Sequence, residues 1–438
     1  MVYRQINRCY ADDWRALVRS GLVDELAGAG LMISHEDAPE VAPLTDDGFL
    51  VIRPRQLEFI SYPYEWTFSQ LKDAALCTLA IQERALGRGM TLKDASAYNI
   101  QFVDGRPTLI DSLSFEPLAV DEPWVAYRQF CEHFVAPLAL MAYRDVRLGL
   151  LLRPMLDGLP LDLAAALLPG RTRFRPGLAA HVHLHARAQR GGTGSGGGTG
   201  QPRRRVSDTG RRAVLDSLRR TIEGLRWQPD RTTWANYTTT TSYSPAAAAA
   251  KQRLVAEMLS RTGPGRVWDL GANDATYSAI AAATGRSVIA LDSDAGAMER
   301  AYRRVRAGEL NGVQPFVVNL TNPSPAIGWA LAERRSLVDR GPAPTVMALA
   351  LVHHLAIGAN VPLPFIAAFF GEIGQELIVE FVPKDDPQTM SMLTSRRDVF
   401  PDYTLEGFRA AFSTRFDLVE EAAIDDSKRT LFRMRRRA

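Results

Sequence analysis

The stretch RVWDLGANDATYSAIAAATGRSVIALDSD, Arg266 to Asp294, decides the fold of the second half of this chain. A short apolar run at Val267–Trp268 enters Asp269-Leu270-Gly271-Ala272-Asn273. A small-residue segment of helical character follows. A second apolar run, Ser287 to Leu291, ends at Asp292. Strand, glycine turn, helix, strand and acid make the nucleotide-binding half of a doubly wound sheet. Gly271 allows the backbone to approach a ligand closely. Asp292 stands where a carboxylate accepts both hydroxyls of a ribose.

The turn also discriminates between cofactors. A dinucleotide needs three glycines and a free helix N-terminus for its pyrophosphate. Here the later glycine positions carry Asn273 and Ala275, with Asp274 between them. A carboxylate there repels pyrophosphate but tolerates the sulfonium of S-adenosylmethionine, and Asn accepts a left-handed turn. The stretch resembles motif I and the following acidic position of class I methyltransferases. The cofactor expected is therefore S-adenosyl-L-methionine, held by Asp269, Gly271, Ala272, Asn273, Asp292 and Ser293.

Downstream, apolar runs near 314–318, 345–351 and 376–382 alternate with helical segments near 295–307, 325–339, 361–372 and 404–413. Strands near 416–421 and 428–434 form a closing hairpin. Alternation of this kind predicts a mostly parallel, Rossmann-like sheet covered on both faces. Its ligands lie beyond the carboxyl ends of the strands. Asn319 and Leu320, after the third strand, are candidate adenine contacts. His353 and His354, after the fourth, stand at the rim where methyl transfer would occur. Glu380, with Lys384, Asp385 and Asp386, ends the fifth. His353, His354 and Glu380 are the candidate proton acceptors for an acceptor hydroxyl or amine. An Asp/Asn-Pro-Pro-Tyr sequence, frequent in enzymes that methylate planar nitrogen, does not follow the fourth strand.

The chain has 438 residues, 46% hydrophobic and 23% charged, ordinary for globular protein and enough for two or three domains. A net charge of +3 gives no argument for nucleic acid. Cys9, Cys77 and Cys131 are odd in number and widely spaced, which reads as reduced thiols. Neither a leader nor a membrane span is expected, so the expected location is cytoplasmic. The run GGTGSGGGTG at 191–200 reads as a flexible tether. The expected division is an α+β domain over 1–190, a Gly/Arg-rich linker over 191–205 and the α/β domain over 206–438.

The first half carries a second signal. Asp94, four residues, Asn99, a hairpin turning at Asp104-Gly105, then Asp111 resembles the core of kinase-like phosphotransferases, where such residues orient an acceptor and hold magnesium. Leu92 replaces the usual His, and neither a Gly-rich phosphate loop nor a phosphate lysine is evident. A degenerate kinase-like domain is expected, with Asp94, Asn99 and Asp111 only weak metal candidates. His181, His183 and His185 would share a face on a strand, but Arg173, Arg175 and Arg187 surround them and disfavour a cation.

The stretches SYPYEW (61–66), LKDASAYNIQF (92–102), PWVAYRQF (123–130), NYTTTTSYSP (236–245), VWDLGAND, NLTNPSPAIGW (319–329), ALALVHHLAI (348–357) and EFVPKDDP (380–387) resemble a bacterial family of two-part proteins. Its members place a kinase-like region before a class I methyltransferase domain of the nodulation or host-specificity type. The resemblance implies methyl transfer but names no acceptor; the acceptor expected is a small molecule, of secondary or glycan metabolism. The competing expectations are a phosphotransferase, alone or bifunctional, and a non-catalytic interaction protein.

Overall fold

The computed structural model describes residues 2–187, 205–229, 243–394 and 397–437. The glycine run of the expected linker lies outside them. The chain forms two compact units, Met1–Trp227 and Gln228–Ala438.

In the first unit, β1 (Arg4–Asn7), β2 (His35–Asp37) and β3 (Gly48–Pro54) make an antiparallel sheet in the order β1-β3-β2. Helix α1 (Phe68–Gly87) starts with a capping box between Thr67 and Gln70. Strand β4 (Met90–Leu92) pairs with β7 (Phe115–Pro117). The intervening chain folds the hairpin of β5 (Ile100–Val103) and β6 (Arg106–Leu109). Its turn uses Asp104 and Gly105 at φ 50° and 76°, as the Asp-Gly pair predicts. Two short helices, Ala11–Arg19 and Leu22–Gly28, meet at Gly21, which takes φ 70°.

Helix α2 (Asp208–Gly224) corrects the expected domain boundary. Its apolar residues Leu215, Leu218 and Ile222 are buried, and it packs on α1. Lys72 of α1 donates to the carbonyls of Glu223 and Leu225, each at 2.9 Å, closing the C-terminal end of α2. An amphipathic helix belongs to whatever covers its apolar stripe. The division therefore falls after Trp227 and not at 206.

The second unit opens with α3 (Pro245–Ser260), N-capped by Ser244 with Pro245 at its first position. Seven strands follow: β8 (Val267–Leu270), β9 (Val288–Asp292), β10 (Val313–Val317), β11 (Ala343–Ala348), β12 (Gly374–Phe381), β13 (Phe416–Ala423) and β14 (Thr430–Arg436). Their order is β10-β9-β8-β11-β12-β14-β13. The first five are parallel, and β14 runs antiparallel between β12 and β13. Val267, Val288, Ala290, Val313, Met347 and Ile378 pack in its core. Helices α4 (Thr276–Ala282), α5 (Ala295–Arg306), α6 (Leu363–Ile373) and α7 (Leu405–Ser413) connect the strands. This is the Rossmann-like sheet with closing hairpin that the alternation predicts. The helix expected over 325–339 does not form. Gly328, Ala330 and Leu331 hold φ of 89°, 53° and 57°, which no right-handed helix contains. Two short 3-10 turns, Trp329–Leu331 and Val338–Arg340, stand in its place.

Candidate active site

The strand order reverses between β8 and β11, and a pocket opens at their carboxyl ends. It is lined by Gly271, Asn273, Asp292, Ser293, Val318, Asn319, Leu320, Leu349, Leu351 and His354, among others. Gly271, Asn273 and Ala275 take φ of 73°, 48° and 62°. The alternating left-handed turn is thus built with one glycine, and Asn and Ala bear the other two positions. A Cβ on Gly271 would lie 3.2 Å from Leu351 Cδ1, itself at the pocket wall. Glycine here keeps the floor open.

Asp292 braces this turn. Its carboxylate accepts the N–H of Asn273 at 2.9 Å and of Asp294 at 2.8 Å. Burial raises its pKa, and the N–H groups of Asp294 and Asn273 oppose that rise. A carboxylate has about four acceptor positions; the Ser293 N–H also reaches this one, and room for a ligand hydroxyl remains. Asp294 is committed elsewhere, because it caps α5 by accepting from Gly296 and Ala297. Asp274 accepts the N–H of Thr276 at 3.1 Å. The chain's own carboxylate therefore stands at the start of α4.

Two expected cofactor residues do not reach the pocket. Asp269 is buried beneath the turn and accepts from Ser278 Oγ at 2.6 Å. Burial pushes its carboxyl up to about 6. Ala272 is buried in the core. Asn319 does line the pocket, but its side-chain carbonyl is held by the N–H and hydroxyl of Thr321 at 2.9 and 2.7 Å.

The three candidate proton acceptors separate. His354 stands at the pocket wall. Burial lowers its pKa, with a smaller contribution from Arg429, so the ring is neutral near pH 7. His353 is 0% exposed and packs against His354, with ring centroids 4.1 Å apart and the planes tilted by 37°. Neither of its nitrogens has a hydrogen-bond partner. Burial holds its pKa well below the ordinary value, and His354 adds to the effect.

Glu380 is a correction. It is 0% exposed and forms an ion pair with Lys251 Nζ at 2.6 Å and with Arg429 at 3.3 Å. The Tyr243 hydroxyl donates to it as well. Burial alone would raise its pKa. The Lys251 ammonium and then Arg429 outweigh burial and hold it below the usual carboxylate range. Such a group is a weak base and is closed to solvent. Asp386 completes the cluster, taking two bonds from Arg429 at 2.8 and 3.0 Å. Lys384 and Asp385 turn outward to Asp398 and Lys428. Lys251 and Arg429 carried no signal in the sequence. A lysine after an alanine run reads as a solvated helix face, and only the fold brings it to Glu380.

In the first unit, Asn99 Nδ2 meets Ser114 Oγ at 3.4 Å, and that hydroxyl donates to Asp111 at 2.6 Å. The other oxygen of Asp111 is ion-paired with Arg4. Asp94 accepts from the Ser96 N–H at 2.9 Å and from Gln129 at 2.8 Å. His181 bonds Tyr127 and Ser217 at 2.7 and 2.9 Å, and His183 bonds Thr172 at 2.8 Å, within a helical turn and not on a strand. Among the described residues no group of three His, Cys, Asp or Glu could hold a metal ion. Among them, too, no helix is long and apolar enough to cross a membrane.

Fold and pocket together define a Rossmann-like α/β unit with a pocket at the switch point of its sheet. No family model matches the chain. It is 36% identical over 421 residues to nodulation protein NoeA of Rhizobium meliloti (strain 1021), spanning 95% of this chain and 87% of that protein. The chain belongs to the family of that nodulation protein. Among solved structures, it is similar to the N-methyltransferase NodS of Bradyrhizobium japonicum WM9 with S-adenosyl-L-homocysteine. The TM-score is 0.34 and the identity 8%, over 47% of this chain and 100% of that one. It is also similar to WbdD crystallised with a kinase inhibitor, with a TM-score of 0.33 and 12% identity, over 49% of this chain and 46% of that one.

Proposed function

We propose that the second unit binds S-adenosylmethionine and transfers its methyl group to a small-molecule acceptor. The observation that carries this reading is Asp274 on the N–H of Thr276, the first residue of α4. A dinucleotide would need that helix end for its pyrophosphate, and here the chain's own carboxylate stands beside it. Asp292 remains suited to ribose hydroxyls. Leu320 and Val318 offer an apolar wall to a base, and Gly271 and Leu349 would border the amino-acid portion. When bound, the cofactor supplies an electrophilic methyl on a cationic sulfur.

His354, at the pocket wall, would take the proton that the acceptor loses on methylation. Its neutral ring near pH 7 supports this role. The acceptor is then a hydroxyl or amine that loses one proton. We place His353 behind it as packing, outside the chemistry.

The first unit is, on this reading, a kinase-like scaffold that transfers no phosphate. The β4–β7 pair bracketing the β5–β6 hairpin supports the likeness. Arg4 on Asp111 argues against metal-dependent transfer, because a guanidinium occupies one oxygen a magnesium ion would need. Calorimetry of the intact protein with S-adenosylhomocysteine and with Mg-ATP tests both statements. Binding of the first and not the second is the expected result, and the reverse would overturn them.

A further inference from the structure

A second cavity, of about 770 Å³, lies beside the first in the same unit. The turn His354–Gly358 separates them: His354 and Leu355 line the cofactor pocket, and Ala356 lines the second cavity. Its walls are the segment leading into α6, the segment 399–403 and the face of α7. Both helices begin at the carboxyl edge of the sheet, where the cofactor pocket also opens.

The lining is largely apolar and rich in rings, with Asn360, Asp402 and Thr414 its polar members. Pro362, Pro364 and Pro401 present flat pyrrolidine faces, and Phe400 and Tyr403 add two aromatic ones. Tyr403 is fixed, because its hydroxyl donates to the Val382 carbonyl at 2.8 Å and its ring stacks on Phe381 at 5.3 Å. Rigid aromatic and proline faces favour a flat, uncharged ring system, whose stacking adds to simple burial. The size falls within the range of small-molecule sites.

We infer that this cavity holds an apolar, ring-bearing arm of the methyl acceptor, whose heteroatom reaches past Ala356 to the cofactor pocket. The inference rests on the methyltransferase reading for its link to chemistry, but its physical content is separable. It requires an apolar ring site that is filled together with the cofactor pocket.

The test uses the intact protein and N-phenyl-1-naphthylamine, an uncharged aromatic whose fluorescence rises on burial. The probe is expected to bind saturably, to remain bound when S-adenosylhomocysteine is added, and to be excluded by Ala410→Trp. Ala410 is exposed on α7 and lines the cavity, so a large ring there fills the space without entering the core. Thr414→Trp, from the same wall, is a second variant should the first fail to fold. Both should keep wild-type affinity for S-adenosylhomocysteine. Probe binding at least ten-fold weaker in either folded variant supports the inference. Equal binding in wild type and both variants overturns it, as does displacement of the probe by S-adenosylhomocysteine. Failure to bind S-adenosylhomocysteine with probe binding intact would instead strike the methyltransferase reading.

Discussion

Neighbouring histidines divide two jobs. His354 faces the pocket, and His353 is sealed behind it with two unpartnered nitrogens. An unpaired buried polar group costs about 1–3 kcal/mol, and an apolar group of similar size removes that cost. His353→Leu should therefore raise the midpoint of chemical denaturation and leave S-adenosylhomocysteine affinity unchanged. A lower midpoint would mean that the ring has a partner in solution. His354→Gln, in contrast, should keep cofactor affinity and lose methyl transfer once an acceptor is known.

Asp292→Ala removes charge-assisted bonds worth about 1.5–3 kcal/mol each. Roughly ten-fold or greater loss of S-adenosylhomocysteine affinity is expected. Asp294 is not a substitute, because its carboxylate is spent on the cap of α5. Unchanged calorimetric affinity in folded Asp292→Ala would remove the ribose assignment.

At the scale of elements, the buried cluster joins α3, the end of β12 and the turn before β14 through Lys251, Glu380, Arg429 and Asp386. Removing one partner of an isolated buried pair costs about 3–5 kcal/mol, and here Arg429 still faces Glu380. Lys251→Met should show a loss below that range in urea unfolding. Lys251→Met with Glu380→Gln should lose less than Lys251→Met alone. Additive losses would show that the two side chains do not share one interaction.

The elements also show what a sequence reveals. The parallel strands were readable because apolar runs of four to eight residues between turn signals reflect burial on both faces. Asp292, Gly271 and Asn273 were readable because local geometry dictates them. Glu380 was misread because its partners come from opposite ends of the unit, and one residue's neighbours in sequence cannot reveal them. The 325–339 segment has helical composition, yet Gly328 and the left-handed residues after it prevent a helix. Helix α2 was assigned to the wrong unit because amphipathicity tells that a stripe is covered, not by what.

For the whole molecule, the division after Trp227 has a measurable consequence. A fragment starting at 206 carries α2 without α1, exposing Leu215, Leu218 and Ile222. A fragment starting at 228 does not. The 228–438 fragment should stay monodisperse and bind S-adenosylhomocysteine, and the 206–438 fragment should self-associate in size-exclusion chromatography. Equal behaviour would restore the earlier boundary.

The first unit should also be acid-sensitive. Burial lowers the pKa of His181 to about 4 and lowers those of His183 and His185. The unfolded chain, with histidine near 6.5, binds more protons below that pH than the folded one. Stability is therefore complete above about 6.5 and falls as the pH drops from there toward 4. For His181 the loss is on the order of 3 kcal/mol. The melting temperature should fall between pH 7 and pH 5, and His181→Asn should flatten that slope. A slope unchanged in this variant would assign the acid response to other groups.

The place of β14 in the sheet has a consequence for synthesis. Strand β14, Thr430–Arg436, enters between two strands that precede it in the chain, and Arg429 just before it closes the charge cluster. Until those residues leave the ribosome, β12 and β13 each wait with an unpaired edge and Glu380 lacks one of its cations. A nascent chain stopped at Lys428 would thus carry β12 and β13 without the strand that pairs with both, exposed to proteases and aggregation until residues 429–436 follow.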